Sequence, residues 1–346
     1  MTTTGPTSTT PLVELHEVRK HYRVRSGLSR RPVIVQAVNG VDLAIDAGEI
    51  LGLVGESGCG KSTLSRTLVQ LETLDAGEIR FKGESIDVAR TDDLRRHIQI
   101  VFQDPYSSLP AHMSVRQIIA EPLLIHRLLR GAELDQKVDD LLVNVGLGPD
   151  FAARKPGQLS GGQRQRVGIA RALALDPDLL IADEAVSALD VSVQAQILNL
   201  LRRLKRDLGL TMLFVSHDIG VVRYISDRIA VMYLGEIVEL ASAADVYETP
   251  AHPYTRALMD AVPSIEHRGR PRIEVRGDPP DPKDPPSGCR FHPRCPMAQD
   301  VCRTEKPALR EWWPGRQVAC HFADECLAKS GAALGGSDRV PDGVHS

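Results

Sequence analysis

The chain has 346 residues, with 42 Lys+Arg against 45 Asp+Glu and a formal charge of −3. That length suits two domains, or one large domain with an appendage, and leaves ample material for a core. The near balance of charge offers no general basic surface and speaks against nucleic acid as a partner, while no apolar run reaches the length of about 18 residues that a bilayer span needs.

The opening stretch, Met1 to Pro11, is rich in Thr, Pro and Gly and lacks the apolar core of a secretory leader, so residues 1–11 read as disordered and the chain as cytosolic. Stable disulfides are not expected there, and the six cysteines, five of them crowded between Cys289 and Cys326, need another explanation. A first strand is predicted near Leu12–Leu15 and a second around Ala37–Val38, with the basic, Gly-containing Ser26–Pro32 as a hairpin tip. Next comes an apolar strand, Glu49–Val54, and a helix marked by the spacing of Leu64, Leu68 and Leu71. Between them stands Gly55-Glu56-Ser57-Gly58-Cys59-Gly60-Lys61-Ser62-Thr63. Strand, Gly-rich turn and helix are the setting of a phosphate-binding loop. Successive N–H groups curl around the phosphates, Lys61 reaches the terminal ones, and Ser62 offers its hydroxyl to Mg2+. Cys59 within it reads either as a small filler or as a helix-terminal thiol of lowered pKa.

Alternation in Gly77–Phe81 predicts another strand, and Ile98–Phe102 leads into Gln103, a neutral strand-end amide suited to hold water and Mg2+. Residues from about 104 to 175 read as helical: Val115–Leu129 with a kink at Pro122, Val138–Val145, and Gly161–Leu175. Leu159-Ser160-Gly161-Gly162-Gln163 opens the last of these with Ser160 as N-cap and two glycines baring backbone N–H groups, which makes a second anion site. One nucleotide does not easily fill both sites in a single domain. The economical arrangement is a head-to-tail dimer, each nucleotide lying between the phosphate loop of one subunit and this helix of the other.

Strands Leu179–Ala182 and Met212–Val215, joined through the helix Val193–Leu208, imply a parallel sheet. Asp183 and Glu184 then stand at the carboxyl end of a strand, where open α/β sheets bind ligands. Asp183 is suited to hold Mg2+ and Glu184 to act as general base on the attacking water. His217 follows the next strand, placed to bond a γ-phosphate and orient water. From Pro250 the composition changes: Pro271–Pro286 is rich in Pro, Asp and Arg, the cysteines follow, and residues 328–346 read as a loose Gly/Ser/Asp-rich tail. Cys289, Cys295, Cys302 and Cys320 have gaps wider than zinc-finger pairs, and a Cys-Pro step is compatible with an iron–sulfur cluster. Spacing leaves a cluster, zinc, and free or disulfide-bonded thiols all open, with Cys326 able to replace Cys320.

The order of these motifs over residues 12–250 resembles the ATPase subunit of an ABC transporter: phosphate loop, Gln103 of the Q-loop, signature 159–163, Walker B ending in Asp183-Glu184, Ser187–Asp190 as D-loop, and His217 as switch. The resemblance implies an α/β P-loop ABC ATPase domain, with a mixed sheet core and a helical subdomain at about 104–175, followed by a small Cys-rich region at 251–327. It implies ATP as ligand, with Tyr22 stacking on adenine. Gln103–Leu109, Val191–Gln196, His252–Thr255 and the Cys-rich region resemble the ATPases of dipeptide and oligopeptide importers, whose relatives also import nickel and other solutes. By that resemblance the chain works at the cytoplasmic face of the membrane with two permease subunits, a second ATPase subunit that is by preference a paralogue, and a solute-binding protein acting through the permease. It also implies a 4Fe-4S cluster on Cys289, Cys295, Cys302 and Cys320, zinc being the alternative. A nickel or other solute importer, or a non-transport ABC ATPase, is the competing function. Two positions depart from the pattern: Ala185 stands where Pro follows the catalytic Glu, and Pro110-Ala111 replaces Asn-Pro.

Overall fold

The computed structural model describes residues 10–24, 33–86, 91–104, 108–261 and 277–332. Long runs of alternating burial form β1 (Val13–Val24) and β2 (Val33–Ile45), paired antiparallel from Val13↔Ile45 to Val24↔Val33. Both are longer than the sequence signal, and the expected hairpin tip at Ser26–Pro32 lies outside the described residues. β3 (Ile50–Val54) is buried at every position, and α1 (Lys61–Leu68) follows it across the Gly-rich turn. That helix starts at Lys61 rather than Leu64 and ends before Leu71, where Gln70 turns to φ 58°.

β4 (Ala76–Phe81) pairs with the free side of β1, and β5 (Glu84–Ser85) completes an antiparallel sheet in the order β2-β1-β4-β5. After α2 (Thr91–His97) and β6 (Ile98–Val101) come α3 (Val115–Ile125), α4 (Gly131–Asn144) and α5 (Gly161–Leu173). These three helices pack on one another, burying Ile118, Ile119 and Leu123 with Leu141, Leu142 and Val167. Pro122 sits inside α3, and α4 begins ahead of the expected Val138.

β7 (Leu179–Asp183), α6 (Val191–Leu208), β8 (Thr211–Ser216), α7 (Ile219–Ile225) and β9 (Arg228–Tyr233) complete the second sheet's core. Its order β9-β3-β8-β7-β6 is parallel throughout, as the strand–helix–strand reading of 179–215 required. Strands buried on both faces read as unbroken apolar runs, as Ile50–Val54 and Leu179–Ala182 do.

The chain divides into two compact units: residues up to Ile237 together with Pro282–Asp284, and Val238–Asp281 together with the residues from Pro285 onward. The division thus falls ahead of the compositional change at Pro250. In the second unit β10 (Glu236–Ser242) pairs with β12 (Arg316–Val318), which pairs with β11 (Arg310–Trp313). Around this small sheet lie α8 (Ala243–Glu248), α9 (Pro253–Asp260), α10 (Asp300–Thr304) and α11 (Ala323–Ala332). Residues 328–332, expected to be part of a loose tail, are therefore the last turn of a helix; Ala323 at its start is buried with Ala251 and Val318.

Glu239 is 0% exposed and accepts the N–H groups of Ala251 and His252, each at 2.9 Å, and Nη2 of Arg316 at 2.7 Å. Arg316 also donates to the carbonyl and hydroxyl of Thr249. A buried charge pair with this many hydrogen bonds ties β10, β12 and the start of α9 into one body.

Candidate nucleotide site

The parallel register brings four strand ends to one edge. Val54 pairs with Ser216, Asp183 with Val215, and Val101 with Ala182. The turns that follow β3, β6, β7 and β8 therefore emerge side by side, and these carry the phosphate loop, Gln103, Glu184 and His217.

Lys61 is only 4% exposed. Its ammonium donates to the carbonyls of Gly55 at 2.8 Å and Glu56 at 3.1 Å, and lies 3.9 Å from Cys59 Sγ. A buried cation held by carbonyls rather than a carboxylate keeps its charge available to an incoming anion. The loop around it needs Gly60, which has φ 110° and whose added Cβ would stand 2.0 Å from the carbonyl oxygen of Ala37. Tyr22, in β1 opposite Val35, is half-buried, with the Lys20 ammonium 5.5 Å from its ring centroid. Burial drives the Cys59 thiol above its usual pKa, outweighing the pull of Lys61. At 3% exposure Cys59 packs as a small apolar side chain, in keeping with the filler reading.

Ser62 Oγ donates to Asp183 Oδ1 at 3.2 Å, joining the phosphate loop to the end of β7. Desolvation raises the pKa of Asp183, which is 6% exposed, although the Ser62 hydrogen bond opposes the shift. Hydroxyl and carboxylate together make a hard, oxygen-only donor pair suited to Mg2+. Glu184 takes φ 50°, rare for a residue with a side chain. It is fixed there by its N–H to the Val215 carbonyl at 2.9 Å, and its own carbonyl accepts the Ser187 N–H at 3.1 Å and hydroxyl at 3.0 Å. The turn is therefore closed without the proline that Ala185 replaces. Across it, His217 Nδ1 lies 3.4 Å from Glu184 Oε1. Gln103 shares this edge of the sheet and is exposed, while Pro105–Ser107 lie outside the described residues.

The Ser160–Gln163 turn stands on a separate element, the start of α5. Ser160 Oγ accepts the Gln163 N–H at 3.3 Å and Gln163 Oε1 accepts the Ser160 N–H at 3.0 Å. This reciprocal cap leaves the N–H groups of Gly161 and Gly162 outside the box it closes. Both glycines and Gln163 are partly exposed and Ser160 is exposed.

The cysteine expectation is corrected. Among the described residues no group of three or more His, Cys, Asp or Glu side chains is arranged to hold a metal ion, and nothing supports the 4Fe-4S cluster or its zinc alternative on Cys289, Cys295, Cys302 and Cys320. The six cysteines are thiols, with no disulfide between them. Burial pushes the Cys295 thiol up to about 11 and Cys326 up to about 12, and raises Cys320 as well. Cys302 and Cys326 are buried as small apolar side chains, and Cys320 packs against the core of Ala251, Val318 and Ala323. Cys289 and Cys295 are partly exposed.

Comparison with known proteins agrees with this geometry. Residues 38–187 match the ABC transporter family, and residues 238–302 match the oligopeptide/dipeptide transporter C-terminal region. The oligopeptide transport ATP-binding protein AppF of Bacillus subtilis is 50% identical over 319 residues, which cover 90% of this chain and 97% of that protein. A probable peptide ABC transporter ATP-binding protein of Sinorhizobium fredii is 50% identical, covering 90% of this chain and 89% of its own length. Among solved structures, a dimeric ATP-binding cassette in a post-hydrolysis state bound to ADP and Pi is 33% identical, with a TM-score of 0.59 over 67% of this chain and 98% of that one. CbiO1 of Clostridium perfringens, part of an ABC transporter complex, is 29% identical, with a TM-score of 0.60 over 68% of this chain and 90% of that one. With residues 38–187 and 238–302 matched to these two families and relatives 50% identical over 90% of its length, the chain belongs to the ABC transporter family, among the ATP-binding subunits of oligopeptide and dipeptide transport.

Proposed function

We propose that the chain is an ATPase that powers uptake of di- and oligopeptides through two membrane permease subunits, at the cytoplasmic face of the membrane. The observation that carries the reading is the buried Lys61 ammonium, bonded among the described residues only to carbonyls and a thiol and set beside the Ser62–Asp183 pair. ATP lies on the backbone N–H groups of Gly58–Thr63, with Lys61 on its terminal phosphates and Tyr22 against its adenine. Ser62, Asp183 and Gln103 are the residues that hold Mg2+. When bound there, Mg2+ would supply charge neutralisation to the phosphates. Glu184 takes the proton of the attacking water, and His217, at hydrogen-bonding reach of Glu184, orients that water.

The capped turn at Ser160–Gln163 serves the ATP of a second ATPase subunit, by preference a paralogue, so that closure of the pair depends on the γ-phosphate. An apolar groove of about 320 Å³, lined by Val69, Leu71, Phe102, Pro122 and Ile125, opens beside Gln103. Leu71 is 56% exposed and Ile125 is 69% exposed, and we assign this patch to the permease. Among the described residues no helix is long and apolar enough to cross a membrane, and the translocation path is assigned to the permease subunits. The peptide substrate is supported by the relatives' names, and its recognition falls to an extracytoplasmic solute-binding protein and the permease.

The test is reconstitution with the permease and solute-binding subunits in proteoliposomes. ATP-dependent accumulation of a labelled oligopeptide, abolished by Glu184→Gln, is expected. Accumulation of Ni2+ but no peptide would move the chain to the metal importers.

A further inference from the structure

The second glycine of the capped turn is held by a side chain of its own subunit. A Cβ built on Gly162 would lie 2.4 Å from Cγ1 of Val193, while the Cβ and Cγ2 of Val193 would be at 3.8 and 4.0 Å. Val193 sits in the first turn of α6, directly after the Ser187–Asp190 loop, where the Gln194 N–H bonds the Asp190 carbonyl at 2.8 Å. One turn further along both helices, Arg166 Nη2 reaches Gln196 Oε1 at 3.4 Å, while its Nη1 donates to the Val145 carbonyl at the end of α4 at 2.8 Å. The start of α5 is thus braced on α6 at two successive turns, and the first brace depends on a β-branched side chain with a stiff χ1.

We infer that Val193 is a positioning residue for ATP hydrolysis: it seats the N-terminal turn of α5, and with it the anion-binding N–H groups of Gly161 and Gly162, on the helix that follows Glu184. Position 162 is glycine because Val193 fills the space a side chain would take. A change in the 184–190 loop then moves the start of α5 with it, so the two nucleotide-facing parts of one chain shift as one body. This rests on the proposed role of the Ser160–Gln163 turn, and the experiment separates the two.

The geometry sets up a steric exchange. With Val193→Ala both Cγ atoms are gone, and a Cβ at position 162 meets only the Val193 Cβ at 3.8 Å, an ordinary contact. In the assembled transporter, Gly162→Ala is expected to lower kcat by at least about tenfold. Val193→Ala alone is expected to lower kcat about threefold with KM for ATP unchanged, since nucleotide binding at Lys61 of the same chain is untouched. The double variant should return to within about threefold of Val193→Ala, and Val193→Thr, which keeps the shape, should match the wild type. ATP binding to each isolated chain and its thermal melt check that the variants fold. A folded double variant as inactive as Gly162→Ala overturns the inference while leaving the turn's role intact, because approach of ATP alone would then require the glycine. A fully active Gly162→Ala overturns the role of the turn itself, and the inference with it.

Discussion

Each unit of the molecule buries a strong charge, and the two are handled in opposite ways. In the second unit Glu239 and Arg316 neutralise one another at 2.7 Å, and the remaining capacity of the carboxylate goes to two backbone N–H groups. In the first unit Lys61 is buried almost as deeply, yet its hydrogen bonds go to carbonyls and a thiol, and among the described residues no carboxylate pairs with it. Paired charge fixes a fold, whereas a buried charge supported only by dipoles is costly by itself and makes sense when an anionic ligand completes it.

The contrast is broken most severely at Lys61. Lys61→Ala is expected to lower ATP turnover by ~10³-fold or more through lost charge stabilisation, with the melting temperature unchanged or higher. A large loss of stability would mean that Lys61 is structural, like its counterpart. Arg316→Ala is expected to do the reverse, destabilising the second unit by ~3–5 kcal/mol because it strands the Glu239 carboxylate. ATP binding to the isolated chain should survive it, and urea unfolding followed by tryptophan emission, both tryptophans being in the second unit, reads it out.

His252 sharpens the comparison by pH. Full burial depresses its pKa from 6.5 to about 3, against a smaller raising effect from the Ala319 backbone, while Nδ1 accepts the Tyr254 N–H at 3.1 Å. A folded-state pKa below the unfolded one gives stability that is present above about pH 6.5 and is lost as pH falls toward about 3. Linkage bounds the loss at roughly 5 kcal/mol. His252→Asn keeps a side-chain acceptor for the cap and removes the titration, so its melting temperature should fall less over that window than the wild type's. The smallest effect belongs to Cys302→Ala and Cys326→Ala, each expected to cost ~1 kcal/mol of packing with no change in ATP turnover. A collapse of the fold on losing either thiol would return a larger role to the cysteines.

Legibility in the sequence followed sequence distance. The phosphate loop, the Asp183–Glu184 strand end and the capped turn at Ser160 are contiguous motifs, and each stands where its local pattern put it. The parallel order of β3, β8 and β7 was equally readable, since fully buried strands leave continuous apolar runs. What escaped was long-range. Glu239 and Arg316 are 77 positions apart, Gly162 is matched to Val193 through packing alone, and β11 and β12 are too short to show a period. The cysteines misled for the same reason. Their crowding in sequence suggests a ligand set, but among the described residues no group of side chains is arranged to hold a metal ion, and Cys302 and Cys326 are buried as packing.

The most direct test of the account is the fate of ATP on Glu184→Gln in the assembled transporter, comparing bound nucleotide with released phosphate. Removing the proton acceptor while leaving Lys61, Ser62 and Asp183 in place should preserve ATP binding, cut phosphate release by ~10²–10⁴-fold, and hold the paired cassettes closed. Phosphate release at the wild-type rate, with ATP bound normally, would contradict it.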